Sequence, residues 1–175
     1  MTVLCDWQIK ERCEKHQMIW PFRIDLLNPA SLDVVIGTQL MIEVADTQEL
    51  QRIDISDKTA ENPYMLLPGE FILTETLETM NVPSDLSIQF VLKSSRAREG
   101  YQHMLAGWAD PGFVGRLTLE IQNARRHHEL PIYPNLKIGQ LVFFEMSSIP
   151  QHDYSVTGRY NNSLHVMPSV DQIAA

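Results

Sequence analysis

The sequence of 175 residues has few cysteines, few basic residues and no long apolar run, and each shortage argues against a class of protein. The two cysteines, Cys5 and Cys13, have a spacing that suits neither a CxxC metal knuckle nor a disulfide framework. We therefore expect both to be packing residues in a reducing compartment. Because no charged-then-apolar leader opens the chain and no apolar run approaches membrane length, we expect a cytoplasmic protein without membrane contact.

Basic residues are outnumbered, with 14 Lys and Arg against 22 Asp and Glu and a net charge of -8. A protein that binds nucleic acid or an anionic membrane needs excess Lys and Arg to displace counterions, so neither partner is expected. Between Lys93 and Arg126, however, six Lys or Arg stand against three Asp or Glu. This local positive charge suits a small phosphorylated ligand, and we predict a nucleotide site in this stretch.

The chain length and a hydrophobic fraction of 44% predict one globular domain spanning residues 1–175. Short segments rich in β-branched residues alternate with Pro and Gly turns, which is typical of a mainly β barrel or sandwich. A short N-terminal helix is predicted from Asp6, as its cap, to about His16. Residues 46–63 are predicted to form a long loop or a ragged hairpin. Strands are predicted within residues 32–37, 66–73 (a turn, then a strand), 86–92, 115–123 and 140–147.

Residues 115–123, GRLTLEIQN, carry a candidate catalytic carboxylate. Strand alternation turns the leucines and the isoleucine to one face and Thr118, Glu120 and Gln122 to the other. Glu120 therefore lies on a polar wall, which is either a solvated strand face or part of a site.

Two further groups also allow a structural and a functional interpretation. Ser94 and Ser95, between Lys93 and Arg98, form either a polar turn or a phosphate cradle in which hydroxyls and cations converge at a strand end. Asp110-Pro111-Gly112 is a turn, whose aspartate either caps its own backbone or binds a ligand together with its neighbours.

Several motifs together resemble the dCTP deaminases of the trimeric dUTPase superfamily, and the likeness covers most of the chain. KSSRAREG at 93–100 is similar to that family's Ser-Ser-x-x-Arg-x-Gly motif, and AGWADPGFVGRLTLEIQN at 106–123 is similar to its central signature. LPGEFILTETLETMNVP at 67–83, PASLDVVIG at 29–37 and KIGQLVFFE at 137–145 fit as well. The resemblance implies a distorted jelly roll of the dUTPase-like type. It also implies a homotrimer with active sites shared between subunits, so that one site's Ser and Arg come from a different chain than its Glu.

The resemblance implies metal-independent hydrolytic deamination of a deoxycytidine nucleotide. Glu120 stands where plain dUTPases typically have an aliphatic residue and the deaminases have a proton-shuttling glutamate. By resemblance, Glu120 is the acid/base, Ser94 holds the attacking water and Arg98 stabilises the site electrostatically. A zinc route is not expected, because the H-x-E pattern of His127-His128-Glu129 has no P-C-x-x-C partner. Those histidines are predicted to lie in a solvated loop, and the other four are scattered along the chain.

The resemblance also implies substrate-binding residues. Asp110 matches the aspartate that bonds the deoxyribose 3'-hydroxyl, and the backbone at Ala106 and from Thr118 through Leu119 to Glu120 matches segments that line the base. Positions that hold phosphate or close over it are matched by Lys93, Ser95, Gln140, Tyr154, Arg159 and Tyr160. If the substrate is a triphosphate, Mg²⁺ would be bound through its phosphates.

The chain departs from the family pattern in residues 151–175, which by resemblance are a lid over the nucleotide. The usual Gln-Gly-Gln followed by Gly-Pro is here NNSLH at 161–165, so Ser163 replaces a glutamine that should reach phosphate. Leu105 replaces a usual threonine before Ala106. We therefore predict that the phosphate count or the cytosine substituent accepted by the enzyme has changed.

Three other functions remain open from the sequence. A bifunctional enzyme would carry the nucleotide on to dUMP and pyrophosphate, since Asp110 also matches the dUTPase residue that positions water near the phosphates. Plain dUTPase activity is disfavoured by Glu120. A non-catalytic nucleotide-binding trimer is the third, and the joint presence of Ser94, Arg98 and Glu120 argues against it.

Overall fold

A computed structural model describes residues 2–170 of the chain and shows a mainly β protein with few helices. The helices are α1 (Asp6–His16), α2 (Ser94–Glu99) and α3 (Tyr154–Thr157), with a 3-10 turn at Ile24–Leu26. The strands are β1 (Ile19–Trp20), β2 (Leu27–Asn28), β3 (Ser31–Ile42), β4 (Gln51–Asp54), β5 (Tyr64–Leu66), β6 (Phe71–Asn81), β7 (Leu86–Leu92), β8 (Tyr101–His103), β9 (Trp108–Ala109), β10 (Val114–Asn123), β11 (Leu130–Ile132) and β12 (Lys137–Glu145).

The long strand β3 joins the two halves of the architecture. Its first half pairs antiparallel with β12, and its second half pairs with β6 and β4. Within residues 2–170 this gives a ten-stranded sheet ordered β8-β10-β6-β3-β12-β7-β9, to which β1, β2 and β4 add at the sides, and a separate β5-β11 pair. A strand that changes partners along its length lets one sheet fold over on itself, which confirms the predicted barrel-like β fold.

The core fills the inside of this curled sheet, and β10 shows how the sequence pattern directs residues into it. Burial alternates strictly along β10, with Leu119 and Ile121 fully buried and Thr118 and Glu120 only partly so. A fully buried Leu or Ile side chain contributes about 2 kcal/mol to folding. The predicted division of this strand into an apolar and a polar face is therefore confirmed.

Helix α1 is confirmed, but its predicted cap is wrong. The N-cap is Cys5, which is extended, while Asp6 is already helical and accepts a hydrogen bond from the Trp7 amide. The Gln8 side chain accepts a hydrogen bond from the Cys5 backbone amide. This amide, at the start of the helix, therefore has an acceptor. Cys13 is buried, and burial raises the pKa of its thiol to about 12, in keeping with the packing role that we predict.

The segment from Ser94 to Glu99 is helical, although the sequence predicts a polar turn or a phosphate cradle at Ser94 and Ser95. It forms the short helix α2, which ends at Gly100 in a left-handed conformation (φ 109°). Six residues are too few to show an apolar periodicity, so this helix could not be predicted from the sequence pattern. Residues 46–63, by contrast, contain β4 paired with β3, as the predicted ragged hairpin requires. Across residues 2–170, none of the helices has the length and apolarity needed to cross a membrane.

Candidate active site

A cavity of about 530 Å³ lies between β10 and the C-terminal segment. Its volume is in the range of small-molecule sites. The predicted site residues that line it are Ala106, Asp110, Thr118, Glu120, Tyr154 and Tyr160. Apolar and aromatic walls are added by Leu50, Phe71, Leu73, Trp108, Phe113 and Leu117.

Glu120 presents a carboxylate to this cavity from the polar face of β10. Its side chain is 24% exposed, and Oε2 is buried without a hydrogen-bond partner among residues 2–170. Its backbone is fixed, because β10 pairs with β6 on one side and the Glu120 carbonyl accepts from the Met104 amide on the other. A buried carboxylate oxygen without a hydrogen bond is rare in folded proteins. Because Oε2 is buried, the exposed part of the side chain does not include this oxygen.

His103 is the side chain that faces this carboxylate oxygen. Its Nε2 lies 3.4 Å from Glu120 Oε2, and the imidazole is only 2% exposed. The ring packs edge-on against Phe90, with the ring centroids 4.7 Å apart. No role for this histidine could be predicted from the sequence. The antiparallel pairing of β8 with β10 brings the two residues together, and a strand of three residues is too short to reveal that pairing.

Asp110 lies at the cavity mouth in the turn that the sequence predicts. The Phe113 amide donates to the Asp110 carbonyl, and Gly112 takes a left-handed φ of 85°. The Asp110 carboxylate accepts a hydrogen bond from Trp108 Nε1 at 3.0 Å. Trp108 in turn stacks on Phe144, so the aspartate is oriented by an anchored indole.

The C-terminal segment lies against β10 and closes one side of the cavity. Backbone bonds join it to this strand, from the Arg116 amide to the Ser163 carbonyl (2.8 Å) and from the Asn162 amide to the Val114 carbonyl (2.6 Å). Besides Tyr154 and Tyr160, the cavity residues of this segment are Ser163, Met167, Pro168 and Ser169. The predicted lid is thus beside the cavity over residues 154–169, and the part of the prediction that concerns 171–175 lies outside the described residues.

Thr118 and Leu119 contribute to the site in different ways. Thr118 Oγ1 faces the cavity and accepts a hydrogen bond from the Met167 amide at 3.1 Å. The Leu119 side chain is fully buried in the core, so it has only its backbone to offer a ligand. The backbone role that the resemblance implies for both residues stays a prediction.

The predicted residues of the KSS motif lie elsewhere in the subunit. Ser94, Ser95 and Arg98 are exposed on α2, and none of them lines the cavity. Lys93 Nζ is paired with the buried carboxylate of Asp33, which also accepts from Asn28. Gln140 and Arg159 do not line the cavity either; Gln140 Oε1 accepts a hydrogen bond from Ser31.

A second cavity of about 410 Å³ lies beside α2 and is lined by Phe90, Ala97, Tyr101, His103 and Leu105 among others. Leu105, which precedes Ala106 of the first cavity, is 92% exposed in a left-handed conformation (φ 63°) and does not line that cavity. His103 lines the second cavity and contacts Glu120 of the first. The two cavities therefore share a wall.

Two carboxylates of β6, Glu75 and Glu78, are buried behind the site. Glu75 pairs with Arg116, a cation that lines the first cavity and that the sequence analysis did not identify. Glu78 accepts from the Val35 amide through one oxygen, whereas the other has no hydrogen-bond partner in the described range. Burial raises the pKa of Glu78 to about 7. Within residues 2–170, no three His, Cys, Asp or Glu side chains come together as a potential metal-ligand set.

His127 and His128 lie in an exposed loop between β10 and β11, as predicted. Of the functional residues that sequence reasoning missed, Trp108 had a visible signal, because it stands two residues before Asp110 in the central signature. His103, Arg116 and Glu75 had none, because their partners lie on other strands.

The comparisons with known proteins agree with this architecture. Residues 3–146 match the family model described as dCTP deaminase-like. The dCTP deaminase, dUMP-forming, of Methanosphaerula palustris is 36% identical over 150 residues, covering 81% of this chain and 80% of that protein. The protein of the same name from Tropheryma whipplei is 38% identical over 167 residues, covering 87% of this chain and 82% of that protein.

A solved structure supports the fold. The 2'-deoxycytidine 5'-triphosphate deaminase from Agrobacterium tumefaciens superposes with a TM-score of 0.67 at 19% identity, over 82% of this chain and 48% of that one. The present chain thus matches about half the length of that enzyme. From the family match, the identity to these relatives and the shared fold, we conclude that the chain belongs to the dCTP deaminase-like family.

Proposed function

We propose that this protein deaminates a deoxycytidine nucleotide by hydrolysis and that, with dCTP, it forms dUMP and diphosphate. The observation that carries the proposal is the Glu120 carboxylate, which is held on a strand paired on both sides and lines a cavity of nucleotide size. The release of diphosphate is included because the relatives described above carry the name dCTP deaminase, dUMP-forming.

Glu120 is proposed as the acid and base of the deamination. It takes one proton from the attacking water as the oxygen bonds to C4 and delivers this proton to N3. It then takes the second proton from the new C4 hydroxyl and delivers it to the amine, as the C4–N4 bond breaks and ammonia leaves. His103 Nε2 lies 3.4 Å from Glu120 Oε2, so the imidazole can orient the carboxylate that transfers these protons. A general acid and base in this position contributes about 10²- to 10⁴-fold to the rate.

Asp110 is proposed to accept a hydrogen bond from the deoxyribose 3'-hydroxyl, with Trp108 holding its carboxylate in place. The backbone at Ala106 and along Thr118 and Leu119 is proposed to line the base. For diphosphate release, a second water attacks the α-phosphorus, the bond from that phosphorus to the bridging oxygen breaks, and diphosphate leaves. The bound nucleotide is then dUMP.

Ser94 and Arg98 are proposed to reach this cavity from a neighbouring subunit of a homotrimer. Both are exposed on α2, and neither lines the cavity of its own subunit. An exposed hydroxyl and guanidinium on a short helix can complete a partner's site, where the serine would hold the attacking water and the arginine would stabilise developing charge. A closed trimer repeats the same contact at each of its interfaces.

Phosphate binding is proposed to involve Lys93, Ser95 and Gln140 together with Tyr154, Arg159 and Tyr160 of the C-terminal segment. A magnesium ion needs oxygen ligands and keeps several waters. The cavity offers the carboxylates of Asp110 and Glu120 but no set of three potential ligands in the described chain. These residues fit an ion carried in by the triphosphate, which would neutralise phosphate charge.

We also propose that the phosphate count or the cytosine substituent accepted by this protein differs from that usual in the family. Ser163 lines the cavity, in a place where a longer glutamine is usual in the family. Leu105 lines the second cavity instead. It can therefore affect recognition of the base only through His103, which lines the same cavity, or by contacting the site of a neighbouring subunit.

The test is ammonia release and product identity from dCMP, dCTP and their 5-methyl and 5-hydroxymethyl forms. We expect the wild type to release ammonia and to form dUMP and diphosphate from dCTP. Glu120→Gln should lower ammonia release by about 10²- to 10⁴-fold. Glu129→Gln is the matched control, because Glu129 is exposed in a loop outside the cavity, and it should act like the wild type. No ammonia from any wild-type reaction, or an unaffected Glu120→Gln, would contradict the proposal.

A further inference from the structure

Glu75 is a fully buried carboxylate with both oxygens engaged. Oε1 accepts a hydrogen bond from Arg116 Nη1 at 2.8 Å, and Oε2 accepts from the Val166 amide at 2.7 Å. Burial of a charged carboxylate is costly unless its oxygens are paired and hydrogen-bonded. The position of the Arg116 guanidinium and the position of the Val166 amide are therefore both coupled to the Glu75 carboxylate.

The two partners belong to different parts of the site. Arg116 lies on β10 and lines the first cavity, whereas Val166 belongs to the C-terminal segment. The Arg116 amide also donates to the Ser163 carbonyl of that segment. Glu75 thus joins the cavity wall to the segment closing the cavity, as Thr118 also does through the Met167 amide.

Val166 is the best-anchored residue of the segment. It is fully buried and forms a small apolar cluster with Met41 and Leu73. Its carbonyl accepts from Arg52 Nη2 at 3.0 Å, so both backbone polar groups of Val166 are held by charged side chains of the barrel. On either side of it in sequence, Ser163 and Met167 line the cavity.

Space for the carboxylate is provided by Gly37 on β3. A Cβ atom at position 37 would lie 2.7 Å from Glu75 Cγ and 2.9 Å from Oε1, closer than real Cβ contacts allow. Any side chain at this position would displace the carboxylate from Arg116 and Val166. The barrel is therefore shaped to hold Glu75 in this one position.

We infer that Glu75 is a positioning residue for residues 159–169 of the lid, and that it holds this part of the lid closed over the cavity of its own subunit. The inference rests on the proposed function for its link to turnover, but the closed lid itself can be measured without turnover. A lid that is already closed places Tyr160 and Ser163 at the cavity before a nucleotide arrives, which lowers the entropy cost of binding.

The test variant is Glu75→Gln, which keeps the size of the side chain. A Gln amide offers one oxygen and one NH₂ group, so one of the two donors, Arg116 or the Val166 amide, then faces another donor. Glu78→Gln is the matched control, because Glu78 is also buried on β6 but its hydrogen bond is to Val35 on β3 and not to the lid.

The first readout is trypsin cleavage after Arg159, followed by mass spectrometry of the released C-terminal peptide. Cleavage of a segment that opens transiently tracks the open population. We expect Glu75→Gln to be cleaved about tenfold faster than the wild type, which is the effect of losing a charged hydrogen bond, and Glu78→Gln to be cleaved at the wild-type rate.

The second readout is nucleotide turnover. Glu75→Gln should raise KM by about tenfold with a smaller change in kcat, because lid closure contributes to binding. An unchanged cleavage rate in a folded Glu75→Gln would overturn the inference, whatever the activity. If the wild type shows no turnover, the proposed function fails, while the cleavage comparison still decides the role of Glu75.

Should Glu75→Gln not fold, Arg52→Ala weakens the same anchor from the outside. Arg52 is exposed and donates to the Val166 carbonyl, so its loss leaves the buried pair intact. We expect faster cleavage after Arg159 in this variant too, by a few-fold. Cleavage at the wild-type rate would count against the lid anchor at Val166.

Discussion

Strand β10 and helix α2 carry the two halves of the proposed active site, and the structure holds them in different ways. Glu120 sits on a strand that is paired on both sides, with a buried face beneath it. Ser94 and Arg98 sit on a short exposed helix whose residues include no buried side chain. The first half is thus positioned by the fold of one subunit. Ser94 and Arg98 line neither of the two cavities described above, and so their geometry depends on what packs against α2.

The largest effect is expected when one variant loses Glu120 on β10 and a second variant loses Arg98 on α2. Glu120→Gln and Arg98→Ala should each lower ammonia release by about 10²-fold or more. If sites are shared, a mixed trimer can pair an intact β10 with an intact α2, and an equal mixture should recover about a quarter of the wild-type activity. The measurement is ammonia release from co-expressed or dissociated and reassembled variants.

The control for that experiment is a mixture of two variants whose substitutions line the same cavity of one subunit. Glu120 and Asp110 line one cavity of one subunit, so Glu120→Gln mixed with Asp110→Asn should recover nothing. Recovery in this control as well, or no recovery in the Glu120 and Arg98 mixture, would contradict a site divided between β10 and α2.

Glu78, which is buried on β6 behind the cavity wall, is expected to make the free energy of unfolding depend on pH. The exposed helix α2 has no such buried carboxylate. Burial raises the pKa of Glu78 from its ordinary value of 4.5 to about 7, so the native state holds this proton more tightly than the unfolded state. The stabilising contribution is complete below about pH 4.5 and is lost as the pH rises through 7, by about 3 kcal/mol in total. Glu78→Gln, which is neutral throughout, should remove this part of the pH dependence.

The measurement is the free energy of unfolding from urea titrations at pH 5 and pH 8, for the wild type and Glu78→Gln. The control is Glu99→Gln, an exposed residue of α2 paired with Arg96, which should shift stability by less than about 0.5 kcal/mol at both pH values. A difference between the wild type and Glu78→Gln that is the same at pH 5 and pH 8 would show that Glu78 does not titrate in this range.

The smallest effect is expected at the shared wall of the two cavities. His103→Gln removes the imidazole that faces Glu120 Oε2 while keeping a polar side chain of similar length. We expect kcat to fall by about tenfold with little change in KM, because the contact orients the proton-transfer group and not the nucleotide. The exposed His127→Gln should leave both constants unchanged. A fall in melting temperature with kcat intact would limit His103 to packing.

The sequence predicted β10 better than α2 for a physical reason. Alternation along ten residues is a local property that the buried face enforces, so the position of Glu120 could be predicted from the strand alone. Helix α2 is too short for periodicity and has no core contact to reveal it. The family resemblance identified its residues as a group, but only the structure shows that they are absent from their own subunit's cavity.

The pairs His103–Glu120 and Glu75–Arg116 could not have been predicted from the sequence. Each joins residues on different strands, so each depends on sheet order and register. The β6–β10 register also shifts between Arg116 and Thr118, which a strict two-residue pattern does not anticipate. The core followed from local patterns, whereas these contacts followed from the pairing of the strands.

Gly37 gives the buried carboxylate of Glu75 a consequence for the evolution of this protein. The space that Glu75 occupies exists because position 37 has no side chain. A lineage that acquires alanine at 37 must either lose the carboxylate at 75 or shift β3, and a lineage that shortens residue 75 releases position 37 to vary. The two positions, far apart in the chain, should therefore change together among relatives, and the lid should change with them.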